Sequence, residues 1–337
     1  MLFNIQGKIH MASRMKLQWR ISPLLPLISG VRKMLLYAFS VNSAPIVRLN
    51  MAKQRILSKW FAVKYADFLD EYKTTQETAI PFTVTQQPTV WLLWMQGEES
   101  LPESCRMCVE SIRRHNEHVR FLDYAQALDL VDVPDSIRDG YERGRLKPAH
   151  VADYIRFALL ERYGGIWMDV SLLQVRDSKI DVLSEPFWSV KGLADFPYAS
   201  AMPLGRIWQV YYMASQPHAL FNTVMLRLME AYYAEFDVEV DYFITYYFAA
   251  LALSIPALAD EYRKVPNNNR SCELLNVLLG CKTVDEHEVL QVLDDDSTWI
   301  YKCSTHYDHD ETKILHMYIQ MIDSRRDGKG DTNESEC

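Results

Sequence analysis

The chain has 337 residues, 49% hydrophobic and 24% charged. That is enough for one large α/β domain with a small appendage, or for two modest domains. A net charge of −8 excludes nucleic acid as the main partner. The lone CxxC pair, Cys105 and Cys108, has no second ligand pair at suitable spacing, which excludes a cysteine zinc site and leaves two structural thiols suited to a reducing compartment.

The negative average hides an asymmetry. Before Asp67 there is no Asp or Glu, but there are eleven Lys and Arg residues, so all 44 acids lie after that stretch. A basic, apolar-rich end can contact an anionic membrane surface, or it can pack as a helical extension on the acidic body. Both readings stay open. The longest apolar run, "ISPLLPLISGV" (21–31), is too short to span a bilayer and contains Pro23 and Pro26. Residues 1–80 therefore read as a basic helical N-terminal extension, closed by the linker-like "PFTVTQQP" (81–88).

Next, "TVWLLWM" has the all-apolar character of a buried parallel strand. "LPESCRMCVESIRRHN" is helical with Pro102 at its start, "HVRFLDY" is a strand, and "VPDSIRDGYERG" is a short helix ending on Gly144. Pro148 opens a further helix that "YGG" closes, and "IWMDV" follows as a strand. This strand–helix alternation predicts a mostly parallel α/β sheet. Beyond it, "PFWSVKG" reads as a strand, "HALFNTVMLRLMEAYYAEF" and "DYFITYYFAALALSI" as long helices, and "TWIYKCSTHY" as a return to the sheet or its rim. Residues 324–337 read as a disordered polar tail.

The stretch "LKPAHVADYIRFALLERYGGIWMDVSLL" (146–173) carries the chemistry. Asp153 and Arg156 share a face of an otherwise apolar helix, which a local salt bridge alone can explain. Asp169 ends a hydrophobic strand, where it can cap the strand or bind a ligand at the carboxyl edge of the sheet. A carboxylate there suits sugar hydroxyls, or Mg²⁺ or Mn²⁺ beside a diphosphate. The three together point to a ligand role.

The constellation Ala152, Asp153, Arg156, Tyr163, Gly164, Gly165, Asp169, Val170 and Ser171 resembles the DxD sugar-binding region of glycosyltransferase family 32 and of the related capsular polysaccharide synthesis proteins. The likeness runs over residues 85–305, taking in "VWLLWMQGEESLPESCRMCVESIRRHN", "DYFITYYFA" and "TWIYKC". It implies a GT-A fold over residues 81–323, a Rossmann-like nucleotide-sugar half fused to an acceptor half. It implies transfer of a sugar from a nucleotide donor, UDP-linked, with retention. By the same resemblance Trp94 lies against the base, Asp153 touches ribose or donor sugar, Arg156 orients the sugar or diphosphate, and Asp169 binds donor and metal. Gln96, Ala152, Gly165 and Lys302 complete the donor site. Ser171 stands where many relatives carry a second Asp, which weakens the expected Mn²⁺ or Mg²⁺ site.

A third metal ligand is sought in "THYDHDET", with His306 foremost and Asp308 and His309 beside it; a solvated loop is the competing reading. Asp294, Asp295 and Asp296 read as a solvated acidic turn, and Trp299 and Lys302 as reaching the donor or forming an ordinary edge strand. The expectation is a transferase of capsule, exopolysaccharide or lipopolysaccharide synthesis, acting on a glycan or lipid-linked acceptor. Its expected place is cytoplasmic, peripheral at the inner face of the plasma membrane. The alternative is a catalytically weak or inactive nucleotide-sugar-binding protein of the same fold.

Overall fold

The structure is a computed structural model that describes residues 2–73, 88–280 and 295–330, together with His287 and Val292. Four helices come first: α1 (Leu2–Ile21), α2 (Leu24–Leu35), α3 (Ala44–Lys64) and the short α4 (Ala66–Asp70). The body follows as β1 (Val90–Leu93), α5 (Glu103–His115), β2 (Val119–Leu122), α6 (Tyr124–Leu130), α7 (Asp135–Glu142), α8 (Pro148–Tyr163), β3 (Gly165–Met168), β4 (Leu172–Gln174), β5 (Phe187–Ser189), β6 (Tyr212–Ser215), α9 (Leu220–Glu235), α10 (Ile244–Ala252), α11 (Pro256–Lys264), α12 (Leu274–Gly280), β7 (Ile300–Lys302) and α13 (His309–Gly330).

The main sheet has the order β2-β1-β3-β6-β5. β1 runs parallel to β2 and β3, whereas β6 runs antiparallel to both β3 and β5. The α/β class expected from the alternation is present: β2, β1, β3 and β5 run in one direction and β6 alone runs against them, so the sheet is mostly parallel with one reversed strand. The reversed strand is β6, a stretch that the alternation does not mark as a strand; all four of its residues are buried. A separate two-stranded ribbon joins β4 to β7, with Leu172 opposite Lys302.

α8 sits where its sequence dictates. Pro148 starts it, and Gly164 at φ 63° ends it. Ten of its residues are buried, because it packs on the sheet and against α9. Gly165 takes φ 96°, and a Cβ there would come within 2.5 Å of the Thr89 carbonyl oxygen. Its glycine is therefore required by strand packing.

The N-terminal helices are part of the body's core. Leu17, Leu25, Leu57, Phe61, Tyr65 and Tyr72 belong to the same buried cluster as the sheet residues. The Phe61 ring lies 5.3 Å from that of Tyr247 and 5.6 Å from that of Phe248. Polar contacts reinforce this. His10 Nε2 lies 2.9 Å from Glu239, Arg14 pairs with the same carboxylate, Gln18 donates to the Val240 carbonyl, and Lys53 pairs with Asp241. Of the two readings of the basic end, packing on the acidic body accounts for these inward-facing side chains.

The linker expected over 81–88 lies outside the described residues apart from Pro88, and so do residues 331–337 of the expected tail. Residues 324–330 continue α13 as helix. The described cysteines Cys105, Cys108, Cys272 and Cys303 are free and buried, as structural thiols should be. No helix of the described residues is long and apolar enough to cross a membrane.

Glu239 is fully buried, and Arg14 is its full-charge partner. Arg14→Met should therefore cost about 3 kcal/mol of stability, because it leaves a buried carboxylate with only imidazole partners. Urea denaturation of the full chain measures this; a loss below the error of the extrapolation would show that Glu239 does not need α1.

Candidate functional site

The site is assembled at the carboxyl edge of β1 and β3. Asp169 follows β3 directly, and its backbone N–H donates to the Tyr211 carbonyl, which fixes where the strand ends. From the buried face of α8, Arg156 reaches the same place. Its Nη2 lies 3.1 Å from Asp153 Oδ1 and its Nη1 3.5 Å from Asp169 Oδ1. Nη1 also donates to the Val210 carbonyl at 2.6 Å, and Nε to the Ala152 carbonyl at 3.4 Å. The guanidinium lies 4.8 Å from the centre of the Trp167 ring, a cation–π contact that covers its face. The Trp167 indole donates to Asp169 Oδ1 at 3.0 Å.

The other oxygen of Asp169 faces Lys302. Because β7 pairs with β4, Lys302 arrives beside Leu172, and its Nζ lies 3.2 Å from Asp169 Oδ2 and 2.5 Å from Ser171 Oγ. The site thus has two layers. Asp169 and Lys302 keep 25% and 21% of their side-chain surface open, while Arg156 beneath them keeps 6%. Asp153 belongs to the lower layer, where Thr245 Oγ1 donates to its Oδ2 at 2.5 Å.

These contacts set the ionisation of each group. Burial raises Asp153 above the usual carboxylate range, against Arg156 and the Thr245 hydrogen bond. Burial acts on Asp169 too, but Lys302 and Arg156 outweigh it and hold that carboxyl below its ordinary value. Lys302 is raised: burial opposes its charge, and Asp169 and Glu273 more than compensate. Asp169 and Lys302 therefore form a fixed pair of opposite charges at the mouth.

The sequence-predicted residues fare differently. Asp153, Arg156, Asp169, Ser171 and Lys302 converge, and Ala152 joins them through its carbonyl. Trp94 and Gln96 follow the carboxyl end of β1 on the same edge; Trp94 is half-buried, with its indole donating to Ser100 Oγ, and Gln96 is exposed. Gly165 does not join. It begins β3, four residues before Asp169, roughly 13 Å away along a strand. Arg156 spends its donors inside the protein, so its place is that of a positioning residue. His306 is exposed on the turn before α13, and Asp308 caps that helix by accepting from the Glu311 N–H. Asp295 accepts from Ser271, Ser297 and Thr298, and Asp296 pairs with Arg176 and Lys179, so both serve local structure.

The donor set expected for a divalent ion, Asp169, Ser171 and His306, does not fit one as the chain stands. The Lys302 ammonium already bridges the first two, and among the described residues no group of three His, Cys, Asp or Glu side chains is arranged to hold a metal. Sequence reasoning missed Thr245, Trp167 and Glu273. Thr245 and Trp167 lie inside stretches that read as helix and strand, and no spacing rule links either to Asp153 or Asp169.

Beneath the site lies a buried imidazole. His150 on α8 is 2% exposed, 3.9 Å from Asp153 and 3.4 Å from Glu239. The Tyr242 ring stands 5.8 Å away. Burial, helped by Arg14, Lys147 and His10, pushes His150 down to about 3.

A sequence profile of the family described as "Capsular polysaccharide synthesis protein" matches residues 41–322, which places α3 inside the family's domain. "Probable glycosyltransferase FCK3" of Fusarium pseudograminearum (strain CS3096) is 31% identical over 132 residues, covering 36% of this chain and 32% of that protein. "O-glycosyltransferase PaGT" of Phomopsis amygdali is 30% identical over 125 residues, 33% of this chain and 30% of that one. The matched stretch thus spans about a third of the length of each relative. A solved structure, "PaToxG Glycosyltransferase", covers 80% of this chain and 97% of its own at 11% identity, with a TM-score of 0.39.

The state of His150 makes stability depend on pH. Unfolded, the imidazole takes up its proton near its ordinary value of about 6.5. Folded, it resists protonation down to about 3. Between those values the unfolded chain binds the extra proton, so stability falls as pH falls, by at most ~1.4 kcal/mol per pH unit from this group. His150→Gln cannot charge and should flatten that slope. Denaturation midpoints measured stepwise from pH 7 to 4 test it; parallel profiles for the two proteins would remove His150 as the cause.

Proposed function

The chain belongs to the capsular polysaccharide synthesis protein family, and from that premise we propose that it is a glycosyltransferase moving a sugar from a nucleotide-sugar donor to a glycan or lipid-linked acceptor. The observation that carries this reading is the part-exposed Asp169–Lys302 pair at the carboxyl edge of a sheet, where α/β folds bind nucleotides. The buried Arg156–Asp153 pair beneath holds it in place.

In this reading Asp169 accepts hydroxyls of the donor sugar or ribose, and Lys302 faces the diphosphate. Transfer breaks the bond from the anomeric carbon to the diphosphate oxygen, and the electron pair leaves with the nucleoside diphosphate. The acceptor hydroxyl forms the new bond and gives its proton to the departing phosphate. With retention both events occur on one face of the sugar. The growing negative charge on the leaving group needs a fixed cation, and preorganised charge of this kind is often the largest catalytic contribution. Lys302 fills that need without a divalent ion, since it bridges Asp169 and Ser171.

Asp169→Asn and Asp153→Asn should each lower transfer by about 100-fold or more while the fold persists. A screen of UDP- and GDP-sugars for nucleotide release, followed by NMR of the product anomer, measures activity and tests retention together. If both variants turn over the matched donor at the wild-type rate, the site is wrongly placed. Nucleotide-sugar binding without release in the wild-type chain would instead point to a binding protein.

A second outcome concerns the cation. Wild-type activity should be unchanged by EDTA. Lys302→Ala should reduce it by about 100-fold, and Mn²⁺ should then restore part of the loss, because Asp169 and Ser171 become free to ligate. Loss of wild-type activity in EDTA, recovered with Mn²⁺, would return the charge to a divalent ion.

A further inference from the structure

The N-terminal helices turn an unusual surface outward. Nine of the 17 large hydrophobic side chains exposed among the described residues fall in the first two helices and the turn that follows them: Met11, Met15, Trp19, Leu24, Leu27, Val31, Met34, Tyr37 and Phe39. They are arranged by helical period. Met11, Met15 and Trp19 recur every fourth residue on α1, while Leu24, Leu27, Val31 and Met34 follow the 3-4-3 spacing of one stripe on α2. The inner face of α2 is already used, with Leu25 buried and Arg32 donating to Asn50 at 2.7 Å. Among the described residues nothing covers the outer stripe. Met34 is 72% exposed, Trp19 64% and Tyr37 86%. An apolar surface of this kind on a folded body marks an interaction site.

Charge says what covers it. Lys16, Arg20 and Lys33 are exposed beside these stripes, and no acid occurs before Asp67. Cations flanking an apolar stripe, with aromatic residues at its ends, match an anionic lipid surface. The 12 residues of α2 are too few to span a bilayer, so on a membrane the helix would lie along the interface. We propose that the outward faces of α1 and α2 form a docking surface for an anionic membrane, with the Leu24–Met34 stripe of α2 inserted at the headgroup level.

The fold links this surface to the site. Residues 239–242 serve both: Glu239 and Val240 hold α1, Asp241 holds α3 through Lys53, and Tyr242 stands over His150 beside Asp153. A bilayer bound by the outer faces of α1 and α2 is therefore separated from the element that flanks the carboxylate site by the thickness of one helix, about 10 Å. Only the purpose of docking, delivery of a lipid-linked acceptor, rests on the transferase reading; the surface stands without it.

The test uses the full chain and sedimentation with vesicles of phosphatidylglycerol or of phosphatidylcholine. The wild-type chain should pellet with the anionic vesicles and about tenfold less with the neutral ones, and high salt should release it through screening. The pair L27D/M34D should lose binding by about tenfold or more with an unchanged melting curve, and K16E/R20E/K33E should lose it as well. Nucleotide release from a soluble donor, followed in parallel, reports the transferase reading independently, and these variants should leave it unaltered. A chain that stays in solution with both kinds of vesicle overturns the proposal, and so does vesicle binding that L27D/M34D leaves intact. A dimer that L27D/M34D dissociates, without vesicle binding, overturns it and assigns the face to a second copy of the chain.

Discussion

A guanidinium that is almost wholly buried must spend its hydrogen bonds and its charge inside the protein, and Arg156 meets that demand by joining two carboxylates. Asp153 lies beside one arm and Asp169 beside the other, with the Val210 and Ala152 carbonyls taking further donors and Trp167 covering the face. Removing a partner would strand a charge at a cost of several kcal/mol. Each of α8, β3 and the segment before β6 is therefore held in register by the same side chain. The rest of the site inherits that precision: Asp169 faces Lys302 at a fixed place because Arg156 and the Trp167 indole hold its other oxygen.

The same logic extends outward through the body. Asp153 accepts from Thr245 on α10, His150 stands between Asp153 and Glu239, and Glu239 is closed over by Arg14 and His10 of α1. Successive buried polar groups thus lead from the mouth of the site to the first helix. Arg14 and His10 answer the Glu239 charge, while His150 makes no hydrogen bond through either ring nitrogen. The N-terminal helices accordingly act as a wall of the domain, and their inner faces are spent on it. Among the described residues their outer faces take no part in it.

The Lys302 ammonium is the feature that separates this site from a carboxylate-rich metal centre. A hydroxyl at position 171 is a poor ligand for a divalent cation but a good acceptor for an ammonium, which needs three acceptors and no particular coordination geometry. Ser171 and Lys302 therefore make sense as a pair. Either one alone reads as an accident of sequence.

The sequence by itself determined the elements and the charges that had to be used. Pro148, the YGG stop and the buried strand after it set α8 and β3. The apolar surroundings of Asp153 and Arg156 demanded that both be paired, and the strand-end position of Asp169 marked the ligand edge. These are local consequences of helix and strand periodicity and of the cost of burying charge. What only the tertiary structure decided is long-range. The ribbon between β4 and β7 brings Lys302 to Asp169 across 133 residues, α10 brings Thr245 to Asp153 across 92, and α1 brings Arg14 to Glu239. Gly165 shows the same divide. Its glycine was visible, but only the closeness of the Thr89 carbonyl shows why no side chain fits there. No periodicity encodes such meetings, because they depend on how whole elements dock and not on the spacing within any one of them.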